Sequence, residues 1–382
     1  MTTVSRASSN PTPKLSDVRR IAVFRALQVG DMLCAVPALR ALRAAAPTAE
    51  ITLIGLPWAA EFAQRFRQYI DDVVPFPGAP GLPEQGADTG GLDAFHREMQ
   101  ARRFDLALQL HGSGRLTNAI VRGLGARRVA GFYGADKAVA DPGFVAYREH
   151  EPEIRRLLRL VEALGAPARG EELEFPVNGA EWKELARLRV AYGLRPGEYV
   201  CVHAGARLAT RRWPPERFAA VADVLAMQGL RVVLTGTSEE QLITQAVARA
   251  MHAGAINLCG QTPIGVLAAL YAGARLLVCN DTGVSHIAAA LCVPSVVVYT
   301  GSDPERWAPL DRERHRQVYV PVDCRPCEHA VCPIGHKCAL GVTADRVAAV
   351  ALEAVGGDGG RGMAFGRLGL SGSSRASRGW SM

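Results

Sequence analysis

Three short segments set carboxylate, hydroxyl, imidazole and guanidinium groups directly after apolar runs, where a parallel strand would hand the chain to a helix. In the first, Gln28-Val-Gly30-Asp31-Met-Leu33 follows the run Ile21–Leu27. Gly30 permits a tight turn, and Asp31 falls near the N-cap of the next helix. A carboxylate there either caps the helix or acts as a general base, worth about 100- to 10,000-fold in rate when it meets an acceptor hydroxyl. Position leaves both open.

The second segment, Asn280-Asp281-Thr282-Gly283-Val-Ser285-His286, follows Arg275–Cys279. Backbone N–H groups at a helix start, with the Thr282 hydroxyl and the close approach that Gly283 allows, make an anion site suited to a diphosphate. His286, one turn further, points the same way; the plain alternative is an Asp cap followed by a core histidine. In the third, His203-Ala-Gly205-Ala-Arg207 through Arg211-Arg212-Trp213-Pro214 offers three arginines, whose planar forks pair with phosphate. A solvated basic loop is the alternative. Thr235-Gly236-Thr237-Ser238-Glu239 adds a carboxylate able to accept from ribose hydroxyls, although Ser238 is equally a helix cap. Finally, Cys324, Cys327, Cys332 and Cys338 follow one another at intervals short enough to close a tetrahedral zinc site. Reduced thiols or a stapled loop fit the same spacing.

The elements that position these groups repeat along the chain. Ile21–Leu27, Ile51–Ile54 and Phe104–Leu110 read as strands, with a helix over Met32–Ala45 ended by Pro47. A second series runs from Tyr199–His203 through a helix over 216–228, Arg231–Thr235, a helix from about 238, Arg275–Cys279, a helix from near Val284, and Ser295–Tyr299. Alternating strands and helices mean parallel sheets covered on both faces, with ligands at the carboxyl ends of the strands. The expected layout is a disordered N-terminal arm over 1–20, a first Rossmann-like domain over 21–178, a linker over 179–198, a second Rossmann-like domain over 199–355, and a disordered Gly/Ser/Arg tail over 356–382. A Gly/Pro-rich loop at 77–91 is long enough to be functional.

Composition narrows the partners. With 382 residues, 48% of them apolar and 21% charged, the chain has material for two cores and is no disordered polymer. The net charge of +7 sits mostly at the two ends, each +3, which leaves +1 for residues 21–355. Together with only 6% aromatic residues to stack on bases, that balance argues against nucleic acid. The uncharged stretches 250–274 and 282–302 are broken by polar residues and proline, so neither reads as a bilayer span. The N-terminal MTTVSRASSNPTPK lacks the apolar core of a secretory signal, and five of nine cysteines sit in apolar runs, so a reducing cytoplasm is the expected setting. There is no Asp-x-Asp to hold a divalent cation for a nucleotide-sugar. Gly112-Ser-Gly114 lacks the third glycine of a dinucleotide fingerprint.

In this order the segments resemble glycosyltransferase family 9, the bacterial ADP-heptose:lipopolysaccharide heptosyltransferases of the heptosyltransferase II type. Gly-Asp-Met-Leu-(x)3-Pro-Ala-Leu-Arg-Ala-Leu at 30–42 is similar to the family's N-terminal signature and Asn-Asp-Thr-Gly-Val-Ser-His-Ile-Ala-Ala-Ala at 280–290 to its C-terminal one, the likeness spanning roughly 20–352. The resemblance implies a GT-B fold of two doubly wound domains facing a cleft, with an ADP-sugar as co-substrate in the second domain and no required cofactor. It implies an amphiphilic lipid A-core acceptor in the first domain, which would bring the basic ends to the cytoplasmic face of the inner membrane. By the same carry-over Asp31 matches the catalytic base, Thr282 and Gly283 the diphosphate contacts, Asp281 and His286 the donor-sugar contacts, and Glu239 the ribose carboxylate. Arg211 stands where many members have Lys, keeping the charge but replacing a point ammonium by a fork. Similar cysteine-bearing segments occur in heptosyltransferase II-like members without a general metal requirement. Rival activities are transfer with another nucleotide-sugar or acceptor, a nucleotide-sugar epimerase, and a non-catalytic nucleic-acid binder.

Overall fold

The computed structural model describes residues 15–85, 91–134, 142–327 and 329–356. The twelve strands of the described residues divide evenly between two sheets. The first holds β1 (Arg20–Phe24), β2 (Glu50–Gly55), β3 (Asp72–Pro75), β4 (Leu106–Gln109), β5 (Arg128–Tyr133) and β6 (Phe144–Ala146), in the order β3-β2-β1-β4-β5-β6. The second holds β7 (Tyr199–His203), β8 (Arg231–Leu234), β9 (Ala255–Asn257), β10 (Leu276–Asn280), β11 (Ser295–Val298) and β12 (His315–Val318), in the order β12-β11-β10-β7-β8-β9. All pairings are parallel. The central strands are short, Val- and Leu-rich and buried on both faces, as strands covered by helices on either side must be.

Both sheets are doubly wound, and in each the strand order reverses once, between β1 and β4 and between β7 and β10. Chains leaving adjacent strands at such a point go to opposite faces, which opens a crevice at the carboxyl edge. The Asp31 segment leaves β1 and the Asp281 segment leaves β10, so each sits at its sheet's crevice. One apolar cluster runs without a break from the first sheet, through Met32, Leu33, Val284 and Ile287, into the second.

Three boundaries differ from the sequence expectation. The helix expected over Met32–Ala45 is two helices, Val29–Cys34 and Val36–Ala45, broken at Ala35. Pro37 has no N–H to donate to the Leu33 carbonyl, so the helix restarts with proline in its first turn. The 179–198 linker is largely the helix Gly179–Tyr192, begun by an Asn178–Glu181 capping box and closed by Gly193 at φ 60. It packs on the helix Ile264–Ala272 of the second half, and its Glu181 pairs with Arg65 of the first at 2.6 Å. Residues 15–20 are not arm: Leu15 and Val18 are buried in the first core, and Arg20 opens β1. The rest of the arm, 1–14, and the tail over 357–382 lie outside the described residues. Among the described residues no helix is long and apolar enough to cross a membrane.

The two halves touch most closely at a pair of glycines. A Cβ on Gly30 would lie 2.8 Å from His286 Cδ2 and 3.0 Å from Gly283 Cα, and one on Gly283 would lie 2.5 Å from Val29 Cγ1. We expect Gly30→Ala to lower thermal stability by about 1–3 kcal/mol through overpacking. Gly179→Ala, whose new methyl meets open space, should keep or raise it; calorimetric unfolding of both variants checks the contrast.

Candidate active site between the two sheets

The first wall of the site is built on Arg25, a cation buried at the end of β1. Its guanidinium donates to the Asp31 carbonyl through Nε (2.9 Å) and Nη2 (2.7 Å), and to the Leu110 carbonyl beyond β4. It therefore ties together the two chains that leave the switch point. Glu153, in the helix Glu153–Ala163, supplies the counter-charge at 3.0 Å. The same carboxylate also accepts from Arg156 one turn on, and from Arg306 Nε of the second half at 3.1 Å. Burial alone would raise the pKa of Glu153, but Arg306, Arg25 and Arg156 outweigh it and bring it to about 2.

Asp31 is half-buried, in the first turn of its helix. Desolvation raises its pKa; Arg25, His286 and Arg306 oppose that shift, while Glu153 adds to it. A carboxylate made more basic without being neutralised by a direct ion pair is suited to taking a proton.

The second wall comes from β7 and β10. Asn280, fully buried, donates through Nδ2 to the Ala204 carbonyl (2.8 Å) and accepts from the Trp213 N–H (2.9 Å), so one amide locks the loop after β7 to the loop after β10. Thr282 is the N-cap of the helix Gly283–Ala290; its hydroxyl makes no capping bond, and its carbonyl accepts from Ser285 Oγ at 2.8 Å. Asp281 and His286 are both buried. Desolvation lowers the His286 pKa against the pull of Asp281, Asp31 and Glu153. The His286 ring is held from the opposite half by Cys34, whose Sγ lies 3.6 Å from Nδ1.

The three arginines of the third segment divide their tasks. Arg212 props its own loop by donating to the Ala206 carbonyl at 2.7 Å, and Arg207 is exposed. Arg211 is half-buried with its Nε desolvated and without a partner, a state that an anion would relieve. Glu239 is exposed and makes no hydrogen bond or ion pair among the described residues. Its neighbour Glu240 is buried, closes a capping box on Thr237, and stands 3.6 Å from His203 Nε2. His203 in turn lies 3.2 Å from Thr235 Oγ1, which meets the Tyr271 hydroxyl at 3.0 Å. This buried polar chain stiffens the floor of the second wall.

Cys324, Cys327, Cys332 and Cys338 line one small pocket with Thr210 and His336. Among the described residues, however, no three His, Cys, Asp or Glu side chains are grouped so as to hold a metal ion. The segment also braces Arg211 through its neighbour: Thr210 donates to the His329 carbonyl at 2.7 Å, and His336 Nε2 lies 3.0 Å from the Thr210 carbonyl.

Asp31, Asp281, Thr282, Gly283 and His286 thus come from loops 250 residues apart in sequence to the junction of the two halves. A model of "Glycosyltransferase family 9 (heptosyltransferase)" matches residues 92–338. The chain belongs to glycosyltransferase family 9. The matched stretch begins after the Asp31 loop. The chain is 25% identical over 315 residues to lipopolysaccharide heptosyltransferase 2 of Escherichia coli K12, covering 77% of this chain and 86% of that one. In fold it is similar to a family 9 glycosyltransferase of Veillonella parvula, with TM-score 0.71 and 22% identity over 88% of this chain and 97% of that one. It is similar too to an E. coli heptosyltransferase solved with ADP-2-deoxy-2-fluoro heptose, with TM-score 0.61 and 20% identity over 87% and 99%. The architecture of this family 9 chain is therefore GT-B.

Sequence reasoning missed Arg25, Glu153, Arg156 and Arg306. The signals were present: one arginine inside the apolar run Ile21–Leu27, and Glu153 and Arg156 at i, i+3 on a helix. Because Glu153 titrates near 4.5 when unfolded and near 2 when folded, the stability it contributes is complete above pH 4.5 and is lost as pH falls through about 2. Glu153→Gln leaves three guanidinium groups uncompensated. It should cost about 3–5 kcal/mol at neutral pH and flatten the acid side of the stability profile, measured by urea unfolding across that range.

Proposed function

We propose that this family 9 enzyme moves a heptose from ADP-heptose to an inner-core sugar of lipopolysaccharide, with inversion at the anomeric carbon. The observation that carries the reading is the meeting of the two switch-point loops. A carboxylate of raised basicity on one faces an uncapped helix N-terminus, an imidazole and a buried carboxylate on the other. The names of its relatives point to the same donor and acceptor class.

In this scheme Asp31 takes the proton of an acceptor hydroxyl as that oxygen bonds to the anomeric carbon. The bond from that carbon to the diphosphate breaks, and ADP leaves from the opposite face. Thr282, the Gly283 backbone and Arg211 receive the negative charge that develops on the diphosphate; preorganised donors aimed at such charge are commonly the largest catalytic contribution. Asp281 and His286 hold the heptose hydroxyls, and Glu239 holds the ribose. Arg25 does not touch substrate; its bonds to the Asp31 carbonyl keep the base in place. The lipid-borne acceptor would bring the enzyme to the inner face of the cytoplasmic membrane.

The test is incubation with ADP-L-glycero-D-manno-heptose and a heptose-deficient core acceptor, following acceptor mass and ADP release. A gain of one heptose is expected, reduced about 100-fold or more in Asp31→Ala. In Arg211→Ala the loss should fall on turnover, with the acceptor KM unchanged. Because Asp31 must be ionised, the rate should decline as pH falls through a pKa above 3.8. ADP release at equal rates with and without acceptor would overturn the reading, as would an undiminished Asp31→Ala.

A further inference from the structure

One knot of polar side chains at the carboxyl edge of the first sheet has no part in the scheme above. His111 follows β4, beside the strand that delivers Asp31, and is only 7% exposed. Its ring stacks on Phe24, with centroids 5.5 Å apart and planes 19° apart. Nδ1 is buried without a hydrogen-bond partner, and Nε2 is 4.0 Å from Glu84 Oε2, beyond hydrogen-bond reach. Glu84 Oε2 and Gln85 Oε1 are likewise buried and without a hydrogen-bond partner among the described residues. Both residues lie within the Gly/Pro-rich stretch, whose described part, 77–85, packs beside Ala26, Leu56 and Phe76. Native interiors leave few buried polar atoms unpaired, so unpaired atoms on His111, on the Glu84 that faces it and on the adjoining Gln85 point to groups that a ligand satisfies.

The position is that of an acceptor. Glu84 lies near enough to Arg207, on the facing half, and to Asp31 for their charges to act on it: burial raises its pKa, a hydrogen bond from its own backbone and the charge of Arg207 oppose the rise, and Asp31 adds to it. The chemistry selects a class of ligand. Burial, with Arg25 nearby, lowers the His111 pKa to about 4, so the ring is neutral near pH 7 and offers one donor and one acceptor nitrogen. A carboxylate accepts, and an amide both accepts and donates. That mixture matches sugar hydroxyls, whereas a phosphate would meet the Glu84 carboxylate and feel the charge of Asp31. The His111 backbone is already fixed, its carbonyl taken by Gln109 and by Thr117 Oγ1 at 2.9 Å. The stretch turns at Gly78 (φ 93) and Gly81 (φ 85), conformations suited to glycine.

We propose that Glu84, Gln85 and His111 form a subsite that reads uncharged hydroxyl groups of the acceptor sugar next to Asp31. The proposal rests on the transferase reading for the identity of that sugar. Two variants of the full chain test it: Glu84→Gln, and His111→Phe, which keeps the ring stack on Phe24 while removing both nitrogens. Saturation-transfer NMR with de-acylated heptose-deficient core oligosaccharide, with ADP in the same tube, reads binding apart from turnover. Oligosaccharide signals are expected in the unmodified protein and should weaken about tenfold in each variant, with ADP signals retained as proof of fold. In the transfer assay the acceptor KM should rise about tenfold while the donor KM stays unchanged. Variants that bind and use the oligosaccharide like the unmodified protein would overturn the subsite and leave the transferase reading standing. An unmodified protein that binds ADP and no oligosaccharide would also overturn it. Variant-sensitive oligosaccharide binding without any heptose transfer would keep the subsite and remove the transferase reading.

Discussion

Burying a carboxylate among three guanidinium groups organises the first wall of the cleft, the one that carries Asp31. Glu153 is 2% exposed and accepts from Arg25, Arg156 and Arg306. Removing any charge from water is costly, and the cost is recovered only where geometry is good and the remaining donors are occupied. Most of them are: Arg25 gives its other N–H groups to the carbonyls of Asp31 and Leu110, and Arg156 gives Nη2 to the carbonyls of Arg148, Glu149 and Glu151, its Nε alone lacking a partner among the described residues. The same ion cluster therefore fixes the Asp31 loop, the end of β4 and the turn before the helix Glu153–Ala163. Arg306 reaches it from the second half, so the cluster also sets how the helix Pro304–Trp307 sits against the first.

The second wall obtains its order mainly from amide and hydroxyl groups. Asn280 joins two loops through one amide, and the Thr235, His203 and Tyr271 chain lies beneath them. The difference suits the chemistry proposed for each wall. A site meant for a diphosphate keeps its guanidinium and N–H groups uncommitted, as Arg211 and the start of the helix Gly283–Ala290 do. A site meant to hold a base fixes that base from behind through its carbonyl and leaves its carboxyl free.

Contact between the walls depends on size more than on charge. Gly30 and Gly283 let two helix starts approach until a single methyl would collide. The four-cysteine segment contributes in a similar mechanical way, bracing Thr210 and with it the loop that carries Arg211. Its position in the fold gives it that structural task whatever the state of its thiols.

The alternation of apolar runs and amphipathic helices was enough to specify two parallel, doubly wound sheets, because strands buried on both faces leave an unmistakable hydrophobic record. The placement of Asp31 and Asp281 after strands was legible for the same reason, since the sheet rules put such residues at a carboxyl edge. The split at Ala35 was encoded by Pro37 and was overlooked because the helical spacing of apolar residues continues through it. The helix over 179–192 carries few buried residues, only Leu185 among them, so its periodicity was too faint to read. What the sequence could not supply was pairing across distance. Glu153 with Arg306, Cys34 with His286, Gly30 with Gly283 and His111 with Glu84 are each brought together by the folding of whole domains. Local spacing determines which face a residue takes, but only the packing of two sheets decides what it meets there.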